Sequence, residues 1–382
     1  MLLPRDAGTE HHLRGPPKAG TLTRISNRQK GTAVGHGLRI AATTIAIVSL
    51  LGAALLAVFW LLGTPSRGDK LVRALRIPRP AVIAHRGASY LAPEETRPAF
   101  LLARELGADY LEFDVQRTRD GVLIALHDDD LSRTTNVAGI FPGRENHTVD
   151  TFTFAELQQL DAGSWFNRQF PHRARASFKG LRILRVEDII GIAGSGSSPP
   201  GIYIEIKAAH RFPEIERQLV ALLTDHGWIH GAGSQARAQV IFQSFEPDSL
   251  ARLKELAPDI PRLLLIDEVR AGKESWELLL KRAAAIGAGI GTWGSRWAFS
   301  PHWSTKAAPL RYMTTWPWYT GQAHRAGLFV HCWTIDDRWE MWLVTLGGAD
   351  GIFTNRTELA LAVYGRATHG DLDTLWKNIG YE

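Results

Sequence analysis

The sequence predicts an α/β fold: a (β/α)8 TIM barrel with an insertion after the second strand, preceded by a single transmembrane helix. Three observations lead there. From about residue 80, short apolar runs alternate with helix-like stretches, which implies parallel strands joined by crossovers. Eight such units spread over roughly 290 residues, close to the usual size of this barrel. Ahead of them, residues 40–66 carry no charged side chain at all. A doubly wound open sheet is the structural alternative, but no G-x-G-x-x-G follows the first strand.

The elements follow in order. Residues 1–39 are rich in Gly, Pro, Thr and Arg with little apolar periodicity, and read as a flexible basic tail. Residues 40–62 are the apolar part of the uncharged run. As a helix they would be roughly 34 Å long, enough for a bilayer core of about 30 Å. A core helix would be shorter and would carry a polar stripe. A cleaved signal peptide would have a shorter apolar region and a small-residue cleavage site after it. Residues 63–79 are a linker. Arg24, Arg28, Lys30 and Arg39 precede the span, and Arg67, Lys70, Arg73, Arg76 and Arg79 follow it, so charge gives little orientation. The assignment adopted is a single-pass anchor in the inner or plasma membrane, with the N-terminus cytoplasmic and the large domain outside.

The barrel is assigned to residues 80–366 and a short tail to 367–382. Strands are expected at 81–84, 110–115, 122–126, 203–206, 240–243, 263–266, 289–292, 328–333 and 351–354. Helices are expected between them, at 96–106, 213–225, 247–256 and 275–286. Residues 128–185 are too long for a barrel loop and form the insertion; a helix resumes near 186–190. Residues 194–201 (GSGSSPPG) are a turn-rich link to the next strand.

Charge is uneven. Residues 1–79 hold 12 Lys/Arg against 3 Asp/Glu, whereas the remainder holds 32 against 36. The basic excess is therefore a property of the N-terminal arm. It suits anionic lipid headgroups, and the barrel region offers no basic surface for nucleic acid. A lone cysteine, Cys332, excludes an intramolecular disulfide and a Cys-rich zinc site.

Polar side chains at strand ends carry the chemistry, because barrel enzymes work at the C-terminal ends of their strands. Glu112 and Asp114 lie at i, i+2 inside an apolar run, so both carboxylates share one face. Two buried carboxylates so close repel unless a cation joins them, and oxygen-only ligands suit Mg²⁺ or Ca²⁺. Solvated edge acids are the bland alternative. Glu205 and Lys207 repeat the spacing: Glu205 can complete the metal site, and Lys207 can meet a phosphate oxygen. A plain ion pair would explain them as well. His85 and His127, at strand ends beside these acids, suggest a general acid and base, although single histidines there are more often structural. Arg86 can clamp a phosphate through its fork. Trp333, ending a later strand, joins Arg86 and Lys207 in the substrate-binding set.

The run AHRGASYLAPEETRPAF, followed by GADYLEFDVQRTRDGVLIALHDDDLSRTT, resembles the glycerophosphodiester phosphodiesterase family. LDAGSWF, YIEIK, FQSFEPDSL, CWTIDD and GADGIFTN continue the likeness, which covers about residues 80–365. The resemblance implies a barrel related to phosphatidylinositol-specific phospholipases C that splits glycerophosphodiesters into glycerol phosphate and an alcohol. It implies divalent-metal ligands at Glu112, Asp114 and Glu205, an acid–base pair at His85 and His127, and phosphate contacts at Arg86 and Lys207. Three departures stand out. Glu95 takes the place of a usual Asn, Asn355 that of a common Asp, and Leu184-Arg185-Val186-Glu187 replaces the usual Pro-Thr-Leu-Glu. The first adds negative charge near the His85 loop.

Trp293, Trp297, Trp303, Trp316 and Trp318 crowd one stretch, which can line an acyl-chain groove or simply pack a loop. Two other readings fit the chain. One is phospholipase D-like hydrolysis of lysophospholipids or sphingomyelin, which a membrane tether favours. The other is a non-catalytic, membrane-anchored binding module, which has no need of two histidines beside three acids.

Overall fold

The computed structural model describes residues 28–62, 66–229, 239–267, 270, 273–294 and 317–381. Contacts divide the chain into residues 1–56 and 57–382. The first unit contributes most of helix α1 (Arg28–Leu62). Helix therefore begins well before residue 40, inside the stretch expected to be a flexible tail; residues 1–27 of that tail lie outside the described residues. Within α1, Ala41–Val58 is apolar enough to cross a membrane, and none of it is buried. Such a helix is also what a signal sequence looks like.

The second unit is a closed barrel of eight parallel strands. These are β1 (Ala81–Ala84), β2 (Tyr110–Arg117), β4 (Gly201–Ile206), β5 (Val240–Ser244), β6 (Arg262–Leu265), β7 (Ala288–Trp293), β8 (Val330–Trp333) and β9 (Gly351–Thr354). Each pairs with the next, and β1 pairs with both β9 and β2, which shuts the ring. The ninth strand, β3 (Leu123–Ala125), lies outside the ring. It pairs antiparallel with the end of β2, placing Val115 opposite Ala125. The run expected at 122–126 is thus the return arm of a hairpin that opens the insertion.

Two apolar layers hold the unit together. Inside the ring, Ile83, Tyr110, Tyr203, Ile241, Leu263, Phe329 and Phe353 form one cluster. Strands supply it by period-2 alternation, one face in and one face out. Gly289 makes room for this layer: a Cβ there would stand 2.6 Å from the Phe329 ring. The outward strand faces pack with the surrounding helices into a second, larger cluster. Those helices are α3 (Arg97–Leu106), α4 (Val186–Ala193), α5 (Ile215–Asp225), α6 (Pro247–Leu256), α7 (Trp276–Ile286), α8 (Pro317–Arg325), α9 (Arg338–Leu346) and α10 (Thr357–Val363).

Both flanking stretches of the barrel carry structure. In the expected linker 63–79, α2 (Ser66–Ala74) packs beside α8, and Val72 and Ile77 enter the inner cluster. Arg79 ties this segment down, donating from Nε to Asp350 Oδ1 at 2.9 Å and reaching Asp69 with Nη1. Asp350 is fully buried and also bonds His324 Nε2 at 2.8 Å. In the expected tail 367–382, α11 (Leu372–Ile379) packs on α3 and buries Leu375 and Trp376.

Candidate active site

Strand ends build the mouth of the barrel. β1 runs into His85, after which Arg86 (φ 56°) and Gly87 (φ 82°) turn the chain in the left-handed region. Gly87 is required there twice over, since a Cβ would also meet the Ala99 carbonyl carbon at 2.7 Å. The turn aims the Arg86 N–H at Glu112 Oε2, 2.8 Å away. Glu112 and Asp114 share the inner face of β2, and β4 places Glu205 directly beside Asp114 in register. One oxygen from each of the three carboxylates lies within 4.8 Å of the others, and all three residues are buried.

The carboxylates are held in unlike states. Burial and the charge of Asp114 push Glu112 well above its ordinary range. Burial raises Glu205 to about 7, against the pull of Lys207. Burial would raise Asp114 too, but Lys207 and Arg86 hold it below the usual carboxylate range. Lys207 Nζ stands 2.6 Å from Glu205 Oε1 and 3.2 Å from Asp114 Oδ1, and Arg86 Nε stands 3.3 Å from Asp114 Oδ2. Even so, Asp114 Oδ2 and Glu205 Oε1 are buried without a well-aligned hydrogen bond. Unfilled acceptors in an all-oxygen set fit a hard dication such as Mg²⁺ or Ca²⁺.

The two imidazoles sit over this trio on separate supports. His85 Nδ1 lies 2.8 Å from Asn355 Oδ1. The Asn355 amide is oriented by its own Nδ2, which donates to Asp336 Oδ2 at 2.7 Å, so its oxygen accepts from His85. Burial and the neighbouring Arg86 bring the His85 imidazole down to about 3. His127 follows β3 in the insertion, and its Nδ1 lies 2.7 Å from Asp128 Oδ1. Gln116 clamps the backbone on both sides of it, donating from Nε2 to the carbonyls of Leu126 and Asp128 at 2.8 and 2.7 Å. Arg133 bridges Asp128 to Glu94, and Glu94 in turn accepts from Arg86 Nη1 at 2.8 Å.

Seven of the eight residues singled out in the sequence line one cleft: His85, Arg86, Glu112, His127, Glu205, Lys207 and Trp333. Asp114 lies just behind, in contact with Arg86 and Lys207. Gln243 and Phe245 also line the cleft, unforeseen. Gln243 donates to Glu112 Oε1 at 2.9 Å, and the Phe245 ring meets Trp333 edge-on at 5.7 Å. Both lie in FQSFEPDSL, which had contributed to the family likeness without any residue role. Glu95 is buried, with φ 56°, and its Oε1 accepts the Asp114 N–H at 2.8 Å. Burial and Asp114 raise its carboxyl well above normal. Of the tryptophan stretch, Trp297, Trp303 and Trp316 lie outside the described residues; Trp293 is half-buried and Trp318 exposed.

Carboxylates suited to a dication, set beside cations suited to a phosphate, give the barrel mouth the chemistry of a phosphate-ester enzyme. Known proteins narrow the class. The Glycerophosphoryl diester phosphodiesterase family model matches residues 85–359. A glycerophosphodiester phosphodiesterase of Bacillus subtilis is 31% identical over 278 residues, covering 72% of this chain and 84% of that protein. A glycerophosphodiester phosphodiesterase structure from Agrobacterium tumefaciens is 26% identical, with TM-score 0.52, covering 74% of this chain and 99% of that one. An Oleispira antarctica phosphodiesterase, solved with its product sn-glycerol-3-phosphate, shares the fold at 24% identity and TM-score 0.57, covering 75% of this chain and 97% of that one. The chain belongs to the glycerophosphoryl diester phosphodiesterase family and is a phosphodiesterase of glycerophosphodiesters.

Proposed function

We propose that the chain is a membrane-anchored, divalent-metal-dependent glycerophosphodiester phosphodiesterase that releases glycerol phosphate and an alcohol through two histidines. The observation that carries this reading is the approach of Glu112, Asp114 and Glu205 within 4.8 Å in a cleft that also holds both imidazoles. These three carboxylates would hold Mg²⁺ or Ca²⁺. Bound there, such an ion supplies positive charge to a nonbridging phosphate oxygen and acidifies a hydroxyl it touches. Arg86 and Lys207 orient the phosphate, and the Phe245–Trp333 wall borders the organic part of the substrate.

His85 is neutral at working pH, and its Nδ1–H is committed to Asn355, which leaves Nε2 to accept a proton from the attacking oxygen. That oxygen forms the new P–O bond: water gives glycerol phosphate directly, whereas the neighbouring glycerol hydroxyl gives a cyclic phosphate that a water then opens to glycerol phosphate. The bond to the alcohol breaks, and His127 gives its Nε2 proton to the departing alkoxide while Asp128 fixes its ring. Helix α1 is the membrane span, with the barrel on the extracytoplasmic side. The aromatic wall favours a second reading in the same cleft, hydrolysis of lysophospholipids.

The test is a cation titration of the full chain, stripped by chelator, against glycerophosphocholine and lysophosphatidylcholine. Release of glycerol phosphate is followed against release of free choline. Activity should return with Ca²⁺ or Mg²⁺, and Glu112→Ala should not respond. His85→Ala should lose about 10²–10⁴-fold in turnover while still binding the cation by calorimetry. A Glu112→Ala chain still stimulated by cation removes the metal assignment, and near-normal turnover by His85→Ala removes the proton assignment.

A further inference from the structure

Helix α9 is apolar on two opposite sides. Met341 and Val344 face inward and are fully buried. Trp339, Trp342, Leu343 and Leu346 face outward, exposed by 75%, 53%, 41% and 45%. Their spacing is i, i+3, i+4, i+7, one arc of about 100° on a helix of 3.6 residues per turn. That pattern ordinarily marks the side a helix turns to the core. Here the core has its own side, and the stripe meets solvent. Beyond residue 66, nine large apolar side chains are exposed among the described residues, and four of them are these. Exposed apolar patches on soluble domains often mark interaction surfaces.

We propose that the outer face of α9 docks on a lipid surface, with Trp339 and Trp342 at headgroup level. Three observations select lipid as the occupant. Indole rings prefer the bilayer interface, where one edge is apolar and the other wet. The face carries little charge to oppose burial among headgroups: its exposed Arg338 and Asp337 sit side by side at the helix start and offset each other, and the one acidic residue within the helix, Glu340, is buried. The chain also carries an apolar helix, Ala41–Val58, and the proposal rests on reading it as the membrane span, because a tether makes even a weak face effective. The surface also leads to the cleft. Trp333 and Thr334 line it, Asp336 holds Asn355, and Asp337 caps α9 by accepting the Trp339 N–H at 2.9 Å. A docked face would therefore bring the substrate-binding wall close to its supply of lipid-derived diesters.

The test uses the full chain. Cys332 is its only cysteine and is buried, so one introduced cysteine accepts a nitroxide label selectively. Trp342→Cys and Leu346→Cys report on the stripe. Glu277→Cys on α7, where the native side chain is 78% exposed, reports on an unrelated face. In phosphatidylcholine–phosphatidylglycerol vesicles, the stripe labels should become shielded from a water-soluble nickel relaxant and reachable by oxygen, while the label at 277 stays open to nickel. Protein that floats with the vesicles but keeps its stripe labels open to nickel overturns the docking face and leaves the anchor standing. Dipolar coupling between stripe labels without lipid shielding assigns the face to a second copy and overturns the lipid. Protein that fails to float overturns the span and the docking face together.

Discussion

Arg86 shows how much one side chain organises. Its N–H holds Glu112, its Nη1 holds Glu94, and its Nε lies beside Asp114. The acids at 112, 114 and 205 were legible in the sequence because spacing two on a strand forces a shared face, and apolar neighbours bury it. Their supports were not. Gln243, Asn355 and Asp336 fall in the family-like motifs but carry no periodicity that assigns them a partner, and they act across large separations: 131 residues from Gln243 to Glu112, and 270 from Asn355 to His85. Arg133 likewise reads as a surface charge until Glu94 and Asp128 close on it. Removing it with Arg133→Met should free Asp128 and loosen His127. The expected outcome is a fall in kcat of up to about 10²-fold with KM nearly held, since misplacement by about 1 Å costs that much. Steady-state kinetics on glycerophosphocholine checks it. Lys207 permits a sharper experiment. Its ammonium stands in the space between Asp114 and Glu205, where it opposes any dication. Lys207→Met should bind Ca²⁺ or Mg²⁺ more tightly by calorimetry yet turn over more slowly, because in the proposed function the phosphate loses a contact.

At the scale of elements, strand positions were legible almost to the residue, but their partners were not. Nine apolar runs looked alike, and nothing in the composition of 122–126 distinguishes a hairpin arm from a ring member. Only pairing does, with Gln116 opposite Ile124 in antiparallel register. The flanks were misread for a different reason. Segments such as SRGDKLVRA are nearly half charged, and the few apolar side chains they bury, Val72 among them, are too sparse to show a period. The last helix behaves the same way. Trp376, 3% exposed, packs against the Phe178 ring at 5.7 Å and lies under the Arg175 guanidinium. Trp376→Ala should cost about 3 kcal/mol, read as a lower urea midpoint at unchanged slope. A loss near zero would make the helix an ornament.

The molecule as a whole carries a titratable group in its ring. His331 is fully buried among aromatic rings, with Nδ1 3.2 Å from the Tyr203 hydroxyl and no hydrogen bond to Nε2 among the described residues. Burial lowers it to about 4 from an ordinary value of 6.5. The unfolded chain therefore binds a proton that the folded barrel refuses between those two values. Stability from this group is complete above pH 6.5 and falls as pH drops toward 4, by a total of about 3 kcal/mol. His331→Gln should flatten that acid slope in urea titrations at pH 5 and pH 7.5, even if the barrel is weaker overall. An unchanged slope would place the acid sensitivity elsewhere.

The hairpin strand β3 has a consequence beyond topology. His85 is bolted to the ring wall, whereas His127 rides on an appendage stitched to that wall by Gln116 and a few backbone bonds. The two imidazoles thus belong to different mechanical parts. Descendants of this chain can lengthen, trim or rewrite the appendage and so shift one imidazole, without recasting the eight staves on which the other depends.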